Sequence, residues 1–463
     1  MMTGYIKGIL AAAIAATSLC GCSISRKCRA PELNLPSSII SGETPADQET
    51  LADMQWWNFY GDSLLCNIIE RTLEHNKDIL AAAYRIEQMR EQYRISRAEL
   101  LPTISANALA DNETNDYFGK KSTSDPEFSL KATLSWEADL WGRLRWAKKK
   151  NNYEWLATVE DERAMRMTLI AEVAGTYFQL IALDNELEIV RRTLETRRDG
   201  EKMAKLRFEG GLTSELVYQQ AKVEYATTAT LVPALEKRIK ITENSLSLLM
   251  GAYPGEKITR QKIDRYIQAP DSVPVGLPSQ LLMRRPDVRK SEYQLKSAMS
   301  SVGVAYADQF PRLTISLQGG WENDDLKALF RSPFSYVVGN IVGTALDFGR
   351  KRAQYKASIA AYEQSRLAYE KKVLEVFTEV NNAVVTYRKM RETTVLKTES
   401  RNAALKYIEL ANLQYRAGSI NYIDVLDAQR RFLDAQIGLS NAVRNEHIAL
   451  VNLYKALGGG WKQ

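Results

Sequence analysis

One stretch of the sequence, Arg350–Ala417, contains neither glycine nor proline over 68 residues. Read as an α-helix rising about 1.5 Å per residue, it is roughly 100 Å long, which is more than a compact domain needs. Gly418 and the polar residues after it provide a turn, and a second helical pattern follows from Tyr422 to Leu457. The sequence therefore predicts a very long antiparallel helical hairpin at the end of the chain.

The apolar residues of both helices follow the spacing of a coiled coil. Steps of three and four residues separate the members of the first seam: Val376, Val380, Ala383, Tyr387 and Met390. The second seam alternates large and small side chains: Val425, Ala428, Phe432, Ala435, Leu439, Ala442, Glu446, Ala449, Leu453 and Ala456. Large side chains opposite alanines allow two helices to pack closely, and only Glu446 departs from this pattern.

The first half of the chain repeats this arrangement. At an offset of 209 residues, Asp78 and Pro102 align with Asp287 and Pro311. At an offset of 207 residues, further matches link the two halves: Gly142 with Gly349, Arg143 with Arg350, Glu172 with Glu379, Gly211 with Gly418, and Ala221 with Ala428. Each half therefore reads as helix, β-hairpin, long helix, turn and return helix.

The repeat divides the chain into segments. The first repeat, 62–250, contains a helix from Asp62 to Pro102, a β-hairpin at 103–140 and long helices at 143–209 and 215–250, the last interrupted at Pro233. The second repeat, 281–457, contains a helix, a β-hairpin at 313–347 and long helices at 350–417 and 422–457. A loop-rich connection at 251–280 joins the repeats, and 458–463 form a C-terminal tail.

The predicted hairpins alternate apolar and polar residues with the period of a β-strand. From Phe128 to Leu140 every second residue is apolar, and Leu313, Ile315 and Leu317 show the same period. A further strand, from Tyr336 to Leu346, alternates less cleanly. These strands are long enough to cross a membrane, although a soluble sheet lying on a core explains a single hairpin equally well.

Four strands cannot close a membrane barrel. An open sheet edge facing lipid leaves backbone groups without hydrogen-bond partners, and the smallest membrane barrels have about eight strands. Two copies of the chain would supply about eight strands and three copies about twelve. The pattern therefore requires other copies of the chain for closure.

The N-terminal segment, residues 1–21, is an export signal. Lys7 precedes an apolar run that is too short to cross a bilayer. Leu19–Cys22 resembles a bacterial lipobox, so we expect Cys22 to carry an N-acyl chain and a diacylglycerol, with a plain cleaved signal as the alternative. Residues 22–61 then form a lipidated tether. Cys28 and Cys66 allow a periplasmic disulfide, although a free, buried Cys66 is favoured.

The composition argues against an enzyme. Two histidines and four cysteines offer little material for a metal or catalytic site, and the sequence contains no recognisable nucleophile, base, metal or cofactor motif. The net charge of +6 is spread over helices that carry both signs. This distribution indicates solvated helix faces rather than a surface for nucleic acid.

Several short motifs occur in the order and spacing of one known family. They are WEADLWGR at 136–143, LLMRRPDV at 281–288, LDFGR at 346–350, YRAG at 415–418 and IDVLDA at 423–428. On these motifs the whole mature chain resembles outer-membrane efflux proteins of the TolC type, in the OprM/NodT-like lipoprotein branch. The resemblance implies a mainly α-helical, internally duplicated chain with membrane β-strands. It also implies a homotrimer, with four strands per chain in a twelve-stranded outer-membrane β-barrel that is continued by a long periplasmic α-helical barrel.

The resemblance also implies partners and no catalytic step. Such a duct exports drugs or other small molecules together with a periplasmic adaptor (membrane fusion protein) and an inner-membrane pump, usually of the resistance-nodulation-division type. A type I secretion or heavy-metal export duct is an alternative within transport. A periplasmic coiled-coil adaptor or structural lipoprotein is the alternative from another class, although adaptors lack two membrane-length strand hairpins.

Two aspartates mark a periplasmic gate. Asp424 and Asp427 lie on one face of the return helix just after the turn, where a trimer would collect six carboxylates and attract cations. The alternative is that they cap the helix and favour its dipole, but their match to the tip aspartates of the family supports a gate. The first repeat has Val217 and Gln220 instead, so it lacks partners that lock the tip in some relatives. The alignment leaves two further gate candidates: Tyr415 and Arg416.

Basic residues begin both long helices, where the helix macrodipole disfavours positive charge. Because the predicted strands end there, we expect Arg143 and Arg350 to meet headgroup phosphates of outer-membrane lipid in the inner leaflet. Trp141 and Trp146 would act as interfacial anchors beside them. Solvated helix faces are the alternative.

Overall fold

A computed structural model describes residues 51–116, 118–263, 278–343 and 346–461. The signal peptide, Cys22, Cys28 and most of the tether lie outside these residues. A short 3-10 turn at Leu51–Asp53 comes first. The elements of the first half are α1 (Trp56–Tyr60), α2 (Ser63–His75), α3 (Lys77–Ala98), β1 (Thr103–Asn115), β2 (Thr123–Ala138), α4 (Arg143–Glu209) and α5 (Glu215–Leu249).

From α3 onward, the second half repeats the order of helices and strands of the first half. The elements of the second half are α6 (Pro278–Arg284), α7 (Pro286–Ala307), β3 (Arg312–Asn323), a 3-10 turn at Leu326–Arg331, β4 (Pro333–Val342), α8 (Arg350–Arg416) and α9 (Tyr422–Ala456). Equivalent helices have equal lengths: α3 and α7 have 22 residues each, α4 and α8 have 67, and α5 and α9 have 35. The predicted duplication is confirmed.

The predicted helix from Asp62 to Pro102 is in fact two helices. The backbone of Asn76 is extended, with φ −61° and ψ 129°, so α2 ends at His75. The Asn76 side chain then caps α3, because its Oδ1 accepts the amide of Asp78 at 2.9 Å. Its Nδ2 donates to the carbonyl oxygen of Leu249 at 2.9 Å. A contact with a distant part of the chain thus holds the break in place.

The predicted interruption at Pro233 is wrong. α5 runs without a break from Glu215 to Leu249. A proline inside a helix removes one backbone N–H and pushes against the carbonyl four residues earlier. Pro233 is exposed, and the helix continues past it to Leu249.

The four strands form one antiparallel sheet in the order β1-β2-β3-β4. The two hairpins join between β2 and β3, where Leu134 pairs with Leu317. β4 begins and ends earlier than predicted, since it spans Pro333–Val342 rather than 336–346. The chain leaves the sheet at Gly343, where an added Cβ would lie 3.1 Å from the Pro311 ring.

One face of the sheet is apolar and exposed. Ile104, Val337 and Ile341 are 76%, 69% and 72% exposed, and the strand register places them on the same face. On β1, β2 and β3 the opposite face carries mainly serine, threonine and charged side chains, whereas β4 is largely apolar on both faces. The apolar face is therefore not the inner face of a soluble core, as the alternative interpretation of the hairpins required.

The chain forms two compact units, and each draws on both repeats. The sheet unit comprises residues 84–159 and 289–372, and therefore contains all four strands. Its helical core contains Leu295, Val302 and Tyr362, and Trp146 packs against them. The unit begins or ends inside each of four helices: α3, α4, α7 and α8. The compact units therefore do not coincide with the two sequence repeats.

The turn unit contains the other described residues and the turns between the long helices. Its core cluster is Leu183, Leu187, Val190, Leu235 and Leu433. In the predicted coiled-coil seams Val380 and Leu453 are fully buried. Glu446 is also buried, and its charge, after burial itself, helps to raise the pKa of Tyr387 to about 12.

Two residues outside the seams, His447 and Cys66, differ in burial. His447 is a packing residue, since it is buried and stacks on Phe178 with 5.0 Å between ring centroids. Cys66 is a free thiol, but it is half-buried rather than buried. In the part of the chain that the structure describes, no helix is both long and apolar enough to cross a membrane.

Candidate functional site

The two long hairpins of the turn unit end in equivalent turns. After α4, Gly211 has φ 70° and the Leu212 amide donates to the carbonyl of Arg207 at 2.8 Å. After α8, Gly418 has φ 75° and the Ser419 amide donates in the same way to the carbonyl of Gln414 at 3.0 Å. Glycine adopts this left-handed conformation without strain, which explains why Gly211 and Gly418 occupy matching positions.

Asp424 and Asp427 both bond within α9. Asp424 Oδ2 accepts the amide of Asn421 at 3.0 Å, and the Asn421 side chain accepts an amide in return, which is a capping box. Asp427 forms ion pairs with Arg430 at 2.6 Å and Arg431 at 2.7 Å. The hydrogen bond from Arg431 lowers the pKa of the Asp427 carboxyl below its ordinary value. The two aspartates thus lie beside the turn as predicted, and Asp424 also has the capping role that was the alternative.

Tyr415 connects the two hairpins. Its hydroxyl accepts a hydrogen bond from Arg207 Nη1 at 2.9 Å, and the guanidinium carbon lies 5.8 Å from the ring centroid. The ring also lies 5.5 Å from the ring of Tyr422. The last turn of α8 is therefore bonded to the last turn of α4. Arg416, the other candidate, is exposed and is not part of this contact.

Arg197 is a buried cation in the same unit that the sequence did not indicate. It is only 6% exposed, and it forms an ion pair with Glu224 Oε2 at 2.9 Å and a hydrogen bond to the hydroxyl of Thr228. Its Nε has no partner, and burial lowers the pKa of its guanidinium. In the sequence it is one of several charged residues on a helix that reads as solvated. Only the pairing of α4 with α5 distinguishes it.

A groove of about 400 Å³ lies between the first turns of α5 and α9. Asp427 and its first-repeat counterpart Gln220 both line it, together with Arg430. Leu216 and Ile423 also line it and are 66% and 51% exposed. No group of three or more histidine, cysteine or carboxylate side chains among the described residues is arranged to hold a metal ion. The lining of the groove therefore combines exposed apolar side chains with polar and charged ones.

In the sheet unit, two of the four predicted interface residues are bonded internally. Trp141 Nε1 donates to the carbonyl of Pro311 at 2.7 Å, and its indole stacks on Phe310 at 4.7 Å. The Arg143 guanidinium donates hydrogen bonds from Nε and Nη2 to the carboxylate of Glu137, at distances from 2.9 to 3.1 Å. The charge of Arg143 is therefore compensated by the protein itself.

The other two predicted interface residues differ from each other. The Trp146 indole lies directly against Gly303, where an added Cβ would be 2.3 Å from Trp146 Cδ2. Lys149 Nζ lies 4.7 Å from the centroid of the same ring. Arg350, at the start of α8, is exposed. Of the four, Arg350 is the residue whose side chain is available to solvent or lipid.

The duplicated helical hairpins and the four-stranded sheet have counterparts in known proteins. The sequence model described as outer membrane efflux protein matches this chain twice, at residues 68–252 and 277–459. The chain belongs to this family. The two matches also correspond to the two structural repeats.

Individual relatives align over nearly the whole chain. The solvent efflux pump outer membrane protein SrpC of Pseudomonas putida is 30% identical over 453 residues, covering 95% of this chain and 96% of SrpC. The probable outer membrane lipoprotein SilC of Salmonella typhimurium is 28% identical over 449 residues, covering 93% of this chain and 95% of SilC. The solved structure of the outer-membrane channel OprN has a TM-score of 0.85 at 26% identity and covers 94% of this chain and 99% of OprN.

These similarities establish the class of protein. The chain has the fold of the TolC-type outer-membrane channels, with the helical hairpins, the small sheet and the internal duplication predicted from its sequence. It is an outer-membrane efflux channel, and its family is one of channels rather than of enzymes.

Proposed function

We propose that three copies of this efflux channel close a twelve-stranded barrel in the outer membrane and continue it as a periplasmic helical tube. The sheet carries the proposal: β1 and β4 each pair on one side only, and the apolar face is exposed. Strand edges that face lipid need partners, and other copies of the chain supply them. The resemblance to TolC-type proteins favours three copies over two.

The channel works with a periplasmic adaptor and an inner-membrane pump of the resistance-nodulation-division type, and it exports drugs or other small molecules. Support comes from relatives described as parts of pumps or systems, among them SrpC and the cation efflux system protein CusC of Escherichia coli. The groove between α5 and α9 offers the helices of an adaptor an apolar surface, with Leu216 and Ile423 exposed.

The N-terminus is fixed to the outer membrane by an N-acyl chain and a diacylglycerol on Cys22. The support is the motif Leu19–Cys22 together with the description of SilC as a lipoprotein. Cells grown with labelled palmitate should incorporate label into the wild-type protein and into Cys28→Ala. Cys22→Ala should incorporate none, and label in that variant would contradict the assignment.

The gate is the turn end of the two hairpins. The Arg207–Tyr415 bond holds α4 and α8 together at this end, and Asp424 and Asp427 supply negative charge beside the turn. Because Arg430 and Arg431 pair with Asp427, Asp424 contributes the larger share of the attraction for cations. This bond connects the hairpins although the first repeat has Val217 and Gln220 in place of the two aspartates.

Single-channel recording in planar bilayers tests this function. The detergent-extracted, full-length protein is added to the bilayer while its oligomeric mass is measured in the same detergent. A trimer that forms cation-selective channels is the expected result. A monomer that forms no channels would contradict both the barrel and the gate.

A further inference from the structure

The helix α4 and its counterpart α8 differ in their glycines. Both helices have 67 residues, but α8 contains no glycine, whereas α4 contains Gly175 and Gly200. Glycine weakens the interior of a helix relative to alanine, because its backbone has more freedom to lose. A glycine inside a helix has a structural reason where a neighbouring group occupies the place of its missing side chain.

The two glycines of α4 have different surroundings. A Cβ added at Gly200 would lie 3.0 Å from the hydroxyl oxygen of Tyr422, which is closer than an ordinary van der Waals contact. Among the described residues, and apart from the nearby backbone of α4, this oxygen is the one atom within 4 Å. A Cβ added at Gly175 would meet nothing within 4 Å in the same part of the chain. Only Gly200 therefore lies beside a group that obstructs a side chain.

Tyr422 reaches this position from the other hairpin. It is the first residue of α9. It is half-buried, and burial raises the pKa of its hydroxyl. Its ring lies 5.5 Å from the ring of Tyr415 near the end of α8. The contact of Tyr422 with α4 lies about two helical turns before Arg207, so it is separate from the bond between Arg207 and Tyr415.

The neighbouring part of α4 is bonded to α5. Arg197 precedes Gly200 by one turn, so the two residues are neighbours on one face of the helix. Arg197 is only 6% exposed, and its Nη1 lies 2.9 Å from Glu224 Oε2 and 3.1 Å from the carbonyl oxygen of Glu224. α4 is thus fixed to α5 beside the place where Tyr422 approaches it. The hydroxyl of Tyr422 lies at the end of a rigid ring, so it yields less easily than a flexible side chain.

The second repeat does not contain an equivalent pair. At an offset of 207 residues, Gly200 matches Tyr407 of α8, and Tyr422 matches Glu215 of α5. Tyr407 is 41% exposed and Glu215 is also exposed. Within the chain, this contact therefore couples α9 to α4, and the equivalent helices α5 and α8 lack the two residues that form it.

We propose that the missing side chain of Gly200 provides a seat for Tyr422, and that this seat is a second closing contact of the gate. In the closed channel the hydroxyl end of Tyr422 occupies the seat, which lets α9 lie against α4. Opening moves the second hairpin away and empties the seat. The contact depends on shape, whereas the contact between Arg207 and Tyr415 depends on a hydrogen bond. This inference rests on the proposed function, because it requires the turn end of the hairpins to open and close.

The open probability of the full-length, detergent-extracted protein in planar bilayers tests the seat. Gly200→Ala should raise the ratio of open to closed channels at least about fivefold, because the added methyl group overpacks the closed state and not the open one. Gly175→Ala is the matched control, since it makes the same change in the same helix where no atom lies within 4 Å. It should change the ratio less than about twofold.

Tyr422→Phe separates the seat from a general effect on α4. It removes the one described atom that a Cβ at position 200 would meet within 4 Å. Gly200→Ala should therefore change the ratio less than about twofold when it is added to Tyr422→Phe. The oligomeric mass of each variant is measured in the same detergent. If Gly200→Ala alone failed to assemble, assembly of the double variant would support the seat.

Four results would overturn the inference. One is an equal ratio of open to closed channels in Gly200→Ala and Gly175→Ala, and another is a lower ratio in Gly200→Ala than in the wild-type protein. The third is a rise that persists with Tyr422→Phe, which would assign the effect to the stiffness of α4. The fourth is failure of both the single and the double variant to assemble. A wild-type protein that formed no channels would instead contradict the proposed function.

Discussion

The bond between Arg207 and Tyr415 is the most direct test of the gate, since Tyr415→Phe removes one hydroxyl and leaves the ring in place. The partners are 2.9 Å apart at an exposed site, and if opening breaks this hydrogen bond, it stabilises the closed state by about 1 kcal/mol per chain. Three equivalent bonds in a trimer contribute about 3 kcal/mol if they act independently. The ratio of open to closed channels should then rise roughly 150-fold.

Open probability in planar bilayers at a fixed voltage measures this ratio. Arg207→Ala should have a larger effect than Tyr415→Phe, because it also removes the guanidinium from the ring, a contact worth about 0.5–1 kcal/mol at an exposed site. Arg416→Ala is the control, since it removes a neighbouring exposed arginine that does not bond across the hairpins. The double variant should behave like Arg207→Ala alone.

Two outcomes would refute the reasoning. If Tyr415→Phe left the open probability unchanged while Arg207→Ala raised it, the arginine would act through its charge and not through this bond. If both variants matched Arg416→Ala, the contact would contribute nothing to closure. In either case the turn end would need another lock.

Further predictions concern stability and reactivity. Gly303→Ala places a Cβ 2.3 Å from Trp146 and should destabilise the sheet unit by about 1–3 kcal/mol, which a urea titration would show as a lower midpoint. Gly339→Ala is the control, because an added Cβ there meets nothing within 4 Å and should shift the midpoint less. Equal shifts in the two variants would contradict the packing of Gly303 against Trp146. Burial raises the pKa of the Cys66 thiol from 9.0 to about 11, so its alkylation at pH 8 in Cys28→Ser should be about 100-fold slower than that of an ordinary thiol. The alkylation rate should keep rising with pH towards 11, and a plateau near pH 9 would contradict the raised pKa.

Long-range regularity was the part of the fold that could be predicted. The glycine- and proline-free run after Arg350 appears as the 67-residue helix α8, and the repeat offsets recur in the helix bounds. The breaks were predicted poorly because they depend on tertiary surroundings. Asn76 ends a helix with the help of Leu249, far along the chain, whereas Pro233 is exposed and does not end one.

The candidate site also contains residues that the sequence predicted and residues that only tertiary contacts identify. The positions of Asp424, Asp427 and Tyr415 beside the turn, which we propose as the gate, were accessible from motifs, because a motif records positions along one helix. Arg207 and Arg197 were not, since their roles depend on which residues of a second helix lie opposite them. Spacing within one helix does not specify the register between two helices. The difference between Arg143 and Arg350 was hidden for a similar reason, because it depends on whether a carboxylate reaches the guanidinium.

α4 and α8 have equal lengths, and so do α5 and α9. This equality limits how the length of the two helical hairpins can change. A residue removed from α4 alone would put every later side chain of that helix out of step with both α5 and its counterpart α8. Seven residues removed from each of α4, α5, α8 and α9 would instead keep all seams in register and shorten both hairpins by about 10 Å. Matched changes in four helices at once are therefore the simplest way to lengthen or shorten the two hairpins without loss of register.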